Sequence, residues 1–339
     1  MEKKKLLYIG NKLKNRGYTA TAIDVLAPKL EKEGFVVRSV SDKKIKAWRM
    51  LEMLHTVWKY RKSTSLVLID TYSTLNFYYA FTVAKLCRKL KLPYIPILHG
   101  GNLPFRLKNS PKKSSALFKG AYVNVAPSQY LMEAFKDHGY KNLVFIPNTL
   151  QLENYPFLLR KSLQPKLLWV RSFAQLYNPQ MALDVLAMLR DKGYDATLTM
   201  VGPAKDISFE QCTTRAKKEN LPVTFTGILS KEAWIYLSAR HDIFINTTNF
   251  DNTPVSVMEA MALGLPVVST NVGGLPYLIE SSVEGLLVAP KNVTSFAEAI
   301  EKLVQTPKLA QNIALAARKK TEQFDWKVVK TQWITLLSQ

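Results

Sequence analysis

Short apolar runs alternate with amphipathic stretches along this chain, and the alternation happens twice. In the first half Leu6–Ile9, Val36–Val40, Leu66–Ile69, Tyr94–Leu98, Ala121–Val125 and Leu143–Ile146 read as strands. Thr19–Glu33, Lys44–Lys62, Leu75–Leu90 and Ser128–His138 read as the helices between them. Strands without polar alternation are buried on both faces, which calls for a parallel sheet covered by helices on each side. The pattern restarts after Gln164-Pro165. Its strands are Lys166–Val170, Ala196–Val201, Val223–Thr226, Asp242–Ile245, Pro266–Ser269 and Gly285–Val288. Its helices are Pro179–Lys192, Phe209–Asn220, Lys231–Ala239, Pro254–Leu263, Thr294–Gln305 and Lys308–Gln323. The expected fold is therefore α/β, with two doubly wound domains at residues 1–164 and 165–323. A last helix, residues 324–339, carries Trp326, Val329, Trp333 and Leu336–Leu337 on one side and is expected to cross back onto the first domain. Ligands of such sheets bind at the carboxyl ends of the strands, and two such edges are expected to face each other across a cleft.

Charge separates the halves. The net charge is +21; residues 1–165 carry +19 of it and residues 166–339 only +2. So one-sided a field points to an anionic partner: nucleic acid, an acidic substrate or an anionic membrane surface. Cys87 and Cys212 have no CxxC or His-rich context, which argues against a disulfide framework or a zinc site and suits a reducing cytoplasm. The start, MEKKKLLYIGN, reads as a first strand and not as a signal peptide. No apolar run approaches the roughly 18 to 20 residues of a spanning helix.

The stretch Asn246–Gly274 carries the most chemistry. After the apolar run His241–Ile245, Thr253 is placed to cap a helix that Pro254 opens, and Gly264 followed by Pro266 stops it. Inside, Val255, Val257, Met258, Ala260, Met261, Ala262 and Leu263 are apolar or small, and Glu259 is the exception. A buried carboxylate requires donors. Glu259 either pairs with a basic residue or accepts the paired hydroxyls of a ligand such as a ribose. Asp251 lies eight residues earlier, in the loop before the helix, where it and Glu259 are placed to reach two parts of one ligand.

Other strand ends supply further candidates. Gly10–Gly17 (GNKLKNRG) follows the first strand; it does not match GxGxxG, and it is either a plain loop or a backbone bed for a sugar or phosphate. LHGGN puts His99, Gly100 and Gly101 at the edge of a sheet. His99 is a candidate ligand contact there, with no Asp or Ser pattern of a hydrolase triad. Arg171 opens the loop RSFAQLYNP, where a phosphate would sit and where a guanidinium makes two bonds at once. Gly273 and Gly274 precede a helix start at Leu275 and offer backbone N–H groups to an anion. In the basic half, Trp48, Leu51, Leu54 and Trp58 fall near one face of Lys44–Lys62, flanked by Lys44, Lys46, Arg49, Lys59, Arg61 and Lys62. This is either a membrane-facing helix or an ordinary crossover helix. Leu103–Lys119 is a second basic stretch, with Phe105 expected to be exposed.

EAMALGLPVVST, starting at Glu259, resembles the E-x7-E segment of the family 4 glycosyltransferases, retaining enzymes built from two Rossmann-like domains (the GT-B fold). The resemblance covers nearly the whole chain. It implies that Glu259 holds the nucleotide ribose and that Asp251, where the family has Glu, lies near the donor sugar and the loop amides. Arg171 matches the family's diphosphate arginine, while the lysine expected about five residues later is absent, with Leu176, Tyr177 and Asn178 in its region. The diphosphate would then rest on Arg171, on amides around Asn252, Thr253, Pro254, Val255 and Ser256 and around Gly273 and Gly274, and on Asn178. His99 matches a family histidine near the transferred sugar; Gly10–Gly17 matches the family's glycine pair poorly. The resemblance implies a retaining sugar transfer from a nucleotide sugar to a hydroxyl of a glycan or lipid-linked acceptor bound by the first domain, in surface polysaccharide synthesis of bacterial type. Asp251, His99 and Arg171 would serve the chemistry, with no cofactor and no metal required. The enzyme would be cytoplasmic and peripheral on the inner face of the membrane. Its rivals are a sugar-nucleotide epimerase or phosphorylase of the same fold and a basic nucleic-acid-binding protein, which would show a recognition module that this sequence lacks.

Overall fold

The computed structural model describes residues 4–12 and 21–339. Gly17 and the start of the helix read from Thr19 lie outside the described residues. The chain divides into two compact units, Met1–Pro147 with Lys330–Gln339, and Asn148–Val329.

Unit 1 runs β1 (Lys5–Ile9), α1 (Ala22–Lys32), β2 (Val36–Val40), α2 (Lys46–Tyr60), β3 (Leu66–Thr71), α3 (Asn76–Lys89), β4 (Tyr94–Leu98), α4 (Leu103–Asn109), α5 (Pro111–Phe118), β5 (Asn124–Ala126), α6 (Gln129–Asp137) and β6 (Leu143–Phe145). The strands form one parallel sheet in the order β2-β1-β3-β4-β5-β6. Order reverses between β1 and β3, where Ile9 pairs with Ile69, so the ends of these two strands make the open crevice of this sheet. Pro96 sits inside interior strand β4 although it has no N–H to give. It is tolerated because the neighbour β5 is three residues long and pairs with β4 only through Ile97 and Val125. Helix α2 packs Met53 and Val57 into the core and leaves Trp48, Leu51 and Trp58 at 62%, 56% and 53% exposure. Leu54 packs against the core, away from that stripe. Arg49 does not flank it either: it is buried, bonding the Lys43 and Lys44 carbonyls and Asn11 Oδ1. The segment Leu103–Lys119 is helical as α4 and α5, each opened by a proline in its first turn.

Unit 2 runs β7 (Lys166–Val170), α7 (Pro179–Asp191), β8 (Thr197–Val201), α8 (Ser208–Lys218), β9 (Val223–Gly227), α9 (Lys231–Ser238), β10 (Ile243–Asn246), α10 (Val255–Ala262), β11 (Val267–Thr270), α11 (Leu275–Leu278), β12 (Leu286–Val288), α12 (Val293–Gln305) and α13 (Pro307–Glu322). Its parallel sheet has the order β12-β11-β10-β7-β8-β9, the doubly wound nucleotide-binding order, with its switch point between β7 and β10. Residues 148–164, grouped with the first domain in the sequence reading, count here with unit 2. Leu150, Leu152 and Tyr155 belong to its core, and Arg160 donates to the carbonyls of Ser238, His241 and Gly264. The final helix, α14 (Trp326–Ser338), starts in unit 2, and its residues from Lys330 count with unit 1, where Lys330 pairs with Glu33 at 3.4 Å. No described helix is long and apolar enough to cross a membrane.

Candidate functional site

The site of unit 2 is built on its switch point. β7 ends at Val170 and hands Arg171 to the edge of the sheet; β10 ends at Asn246 and leads into the loop that carries Asp251. Arg171 Nη2 forms an ion pair with Asp251 Oδ2, and the guanidinium lies over the Tyr177 ring, 4.7 Å from its centroid. Burial pulls the Arg171 guanidinium down to about 10, against the opposing pull of Tyr177 and of Glu259. Asp251 Oδ1 accepts the N–H of Asn252 at 2.8 Å, so this carboxylate ties the arginine to the loop.

Helix α10 starts at Val255, one residue beyond the sequence expectation. Pro254 is the extended residue before it, at φ −69° and ψ 112°, and Thr253 gives no cap. The first N–H groups of a helix have no intrahelical acceptor, and here Ser256 adds a buried hydroxyl that is without a partner among the described residues. Besides Asp70 Oδ2 and Asn124 Oδ1 in unit 1, and Arg171 Nη2 and Asp251 Oδ2, which form an ion pair with each other, three further buried polar atoms lack a hydrogen-bond partner among the described residues: Arg171 Nε, Asn246 Oδ1 and Asn249 Oδ1. These three and Ser256 Oγ stand at the ends of β7 and β10 or at the start of α10. Natural interiors rarely leave such groups unpaired, and four of them gather at this one strand edge of unit 2.

Glu259 is 3% exposed, as an acid inside an apolar helix must be. Its Oε1 accepts from Tyr155 OH at 2.8 Å and from Lys231 Nζ, at the start of α9. Of the two readings open in the sequence, the basic partner is therefore present, but it is a Lys whose side chain is 47% exposed and has room to withdraw. Burial and the Glu259 charge push the Tyr155 phenol well above its ordinary range, which keeps it a donor. Neither Tyr155 nor Lys231 was singled out by sequence. Lys231 opens a helix 28 residues before its partner, and Tyr155 lies in a connecting segment without a motif.

Gly274 does not offer its N–H to an anion: that group donates to Asp251 O at 2.9 Å. The pair Gly273-Gly274 serves another end. A Cβ on Gly273 would lie 2.0 Å from Asp251 O and one on Gly274 1.7 Å from Asn252 O. The glycines let the Asp251–Asn252 backbone lie directly on them. Asn178 stands before α7 in the left-handed region, φ 47°, and its carbonyl accepts from Thr247 Oγ1 at 2.9 Å. Its backbone thus braces the loop after β10.

Unit 1 holds the other candidates. His99 follows β4, and its Nε2 lies 2.8 Å from Asp70 Oδ1, near the end of β3. Sequence reasoning missed this partner; its one signal was an acid closing an apolar strand, LVLID. Gly100 packs on backbone, where a Cβ would meet Ser73 N at 2.4 Å, and Gly101 lies in the turn before α4. Gly10 follows β1 beside Asp70.

Residues 153–320, most of unit 2, match the model of the family Glycosyl transferases group 1. A glycogen synthase of Mycobacterium tuberculosis is 27% identical over 196 residues, 57% of this chain and 47% of that protein. A sulfoquinovosyl transferase of Arabidopsis thaliana is 29% identical over 158 residues, 45% of this chain and 30% of that protein. The matched segment thus spans less than half the length of these curated relatives. The fold as a whole is that of two-domain GT-B glycosyltransferases. Anabaena HepE in complex with UDP and glucose superposes with a TM-score of 0.77 at 18% identity, covering 99% of each chain. The sucrose-phosphate synthase of Thermosynechococcus elongatus gives 0.77 at 15% identity, covering 98% of each.

Proposed function

We propose that the chain is a glycosyltransferase that takes a sugar from a nucleoside diphosphate donor and passes it to a hydroxyl acceptor. One observation carries this reading: the unpaired buried atoms of Arg171, Asn246, Asn249 and Ser256 gather at the switch point of a sheet that matches the model of group 1 glycosyl transferases. In the proposed complex the ribose diol displaces Lys231 and binds Glu259. The diphosphate lies between Arg171 and the first turn of α10, whose dipole and N–H groups favour an anion. As the sugar bond breaks, charge grows on the diphosphate, and donors already in place stabilise it without reorganisation. We further assign the family 4 character and retention of configuration, on the E-x7-E resemblance with Asp251 in the first place, and no metal or cofactor is needed by this arrangement.

The experiment is a thermal-shift panel of UDP, GDP and ADP against duplex DNA. One nucleotide is expected to stabilise the protein by about 2.7 kcal/mol at a hundred times its dissociation constant, and DNA by nothing. Stabilisation by DNA alone would overturn the reading in favour of a nucleic-acid-binding protein.

The acceptor is assigned to the basic unit 1 and to a membrane-borne glycan or lipid-linked glycan, as part of bacterial-type surface polysaccharide synthesis on the cytoplasmic face. What supports this is the exposed stripe Trp48, Leu51 and Trp58 on α2, with Arg61 stacked 4.5 Å from the Trp58 ring centroid, and Phe105 on α4 at 62% exposure. Indole rings beside cations suit an anionic lipid interface, where each basic residue contributes on the order of 1 kcal/mol. The double replacement Trp48→Ala, Trp58→Ala is expected to lower co-sedimentation with anionic vesicles at least tenfold, with nucleotide shifts unchanged. Retained vesicle binding, or a dimer lost on the same replacement, would show that this stripe faces something else.

A further inference from the structure

A diphosphate carries several negative charges, and the strand ends of unit 2 supply little to set against them. The loops after β7, β10 and β11, residues 171–178, 247–254 and 271–274, contain one cation, Arg171, and one anion, Asp251. The two form an ion pair, so these loops are neutral as a set. The N–H groups at the start of α10 add only partial charge. A second cation has to come from elsewhere in the unit.

Lys231 is placed to be that cation. It opens α9 just beyond β9, and its Nζ pairs with Glu259 Oε1. Burial pulls the Arg171 guanidinium down, and Glu259 is among the groups that hold it up, so both cations stand around one carboxylate. The two partners of the lysine pair are held very differently. The Glu259 side chain is 4% exposed, sits inside α10 and accepts from Tyr155 OH at 2.8 Å. The Lys231 side chain is 47% exposed and ends a flexible four-carbon stem. The ammonium can therefore move while the carboxylate stays.

This mobility links ribose binding to phosphate binding. Ribose hydroxyls are neutral donors. When they take Glu259, the ammonium loses its counter-charge and keeps its own charge. The phosphates hang from the same ribose through one methylene and one ester oxygen. The nearest new anion thus arrives with the group that displaced the lysine.

We propose, on the basis of the transferase reading, that Lys231 is a diphosphate ligand: it covers Glu259 in the free protein and transfers to the phosphates when the ribose takes its place. In both states the buried carboxylate has its donors and the ammonium has an anion, so the exchange leaves no charge buried alone.

Calorimetry with UDP, GDP and ADP, each beside its nucleoside, tests the exchange in wild type, Lys231→Met and Lys231→Arg. A lysine that only covers Glu259 competes with every ligand that has a ribose, and its removal tightens nucleoside and diphosphate alike. A lysine that transfers affects the two in opposite directions. In Lys231→Met the nucleoside is expected to bind as in wild type or up to about fivefold tighter, because a half-exposed ion pair no longer has to open. The diphosphate is expected to bind about ten- to a hundredfold more weakly, the worth of one charge-assisted bond. Lys231→Arg keeps the charge and recovers most of that loss. Lys231→Gln, which retains a donor for Glu259 without the charge, shows the same pattern and serves in place of a methionine variant that fails to fold. Diphosphate affinity that is unchanged or higher in the neutral variants overturns the proposal, since Lys231 is then a cover and nothing more. Equal loss of nucleoside and diphosphate overturns it too, because Lys231 then stays on Glu259 and supports the ribose. A wild type that binds none of the three diphosphates overturns the transferase reading, and this inference with it; a wild type that binds one of them, with neutral variants that bind it equally well, overturns the inference alone.

Discussion

Glu259→Ala is expected to abolish the nucleotide-dependent thermal shift while leaving the fold intact. The carboxylate is the one charge inside α10, and in the free protein its Oε1 is occupied by Tyr155 and Lys231. A ribose that enters has to open the Lys231 pair, and this is feasible because the ammonium sits on a half-exposed side chain with water within reach. Each hydrogen bond from a ribose hydroxyl to the carboxylate is worth about 1.5 to 3 kcal/mol, so losing two weakens binding by a factor of about a hundred or more. The folded protein loses far less. Lys231 returns to solvent, and only the Tyr155 hydroxyl is left without its acceptor, at about 1 to 3 kcal/mol. Calorimetry with the diphosphate and with the matching nucleoside checks the assignment, because a ribose contact weakens both ligands by the same factor. A loss confined to the diphosphate would move Glu259 from the ribose to the phosphates.

Much of this site was legible in the sequence because strand ends are legible. Apolar runs such as Leu66–Ile69 and Ile243–Ile245 announce buried parallel strands, and the residues that follow them must gather at one edge of a sheet. That is why Arg171, His99 and Asp251 were marked before any geometry was known. What stayed hidden were the partners. Asp70 and His99 lie 29 residues apart on neighbouring strands, and only pairing of Thr71 with Leu98 brings them together. Lys231 reaches Glu259 from the first residue of another helix, a tertiary contact for which local sequence has no period. Helices α4 and α5 were obscured by a run of lysines and two prolines, although Pro104 and Pro111 stand where a helix accepts proline. On α2, periodicity placed Leu54 with the tryptophans. The choice between its two apolar faces was made by which one the sheet covers, and that face holds Met53 and Val57.

The glycines after β11 support the second large effect. Read as sequence, Gly273-Gly274 offered free N–H groups; in the fold they make room. Gly274 has φ −87°, which any residue adopts, so strain in its own backbone is not the issue. The obstacle is space: its missing Cβ would lie 1.7 Å from Asn252 O and 2.7 Å from Asn252 C, and backbone atoms have no rotamer to escape into. Gly274→Ala must therefore push the Asp251–Asn252 segment away, breaking the bond from the Gly274 N–H to Asp251 O and shifting the carboxylate that pairs with Arg171. Overpacking against flexible side chains destabilises by about 1 to 3 kcal/mol, and a contact with fixed backbone belongs at or above the top of that range. We expect a fall of about 3 kcal/mol or more in urea unfolding, and with it loss of nucleotide binding, because Arg171 and the first turn of α10 no longer face the ligand together. Ser256→Ala separates the two effects: it removes a hydroxyl without a partner among the described residues, so stability should hold while diphosphate affinity falls. If Gly274→Ala keeps both its stability and its nucleotide affinity, the loop is not braced by the glycine pair, and the route from these glycines to Arg171 is wrong.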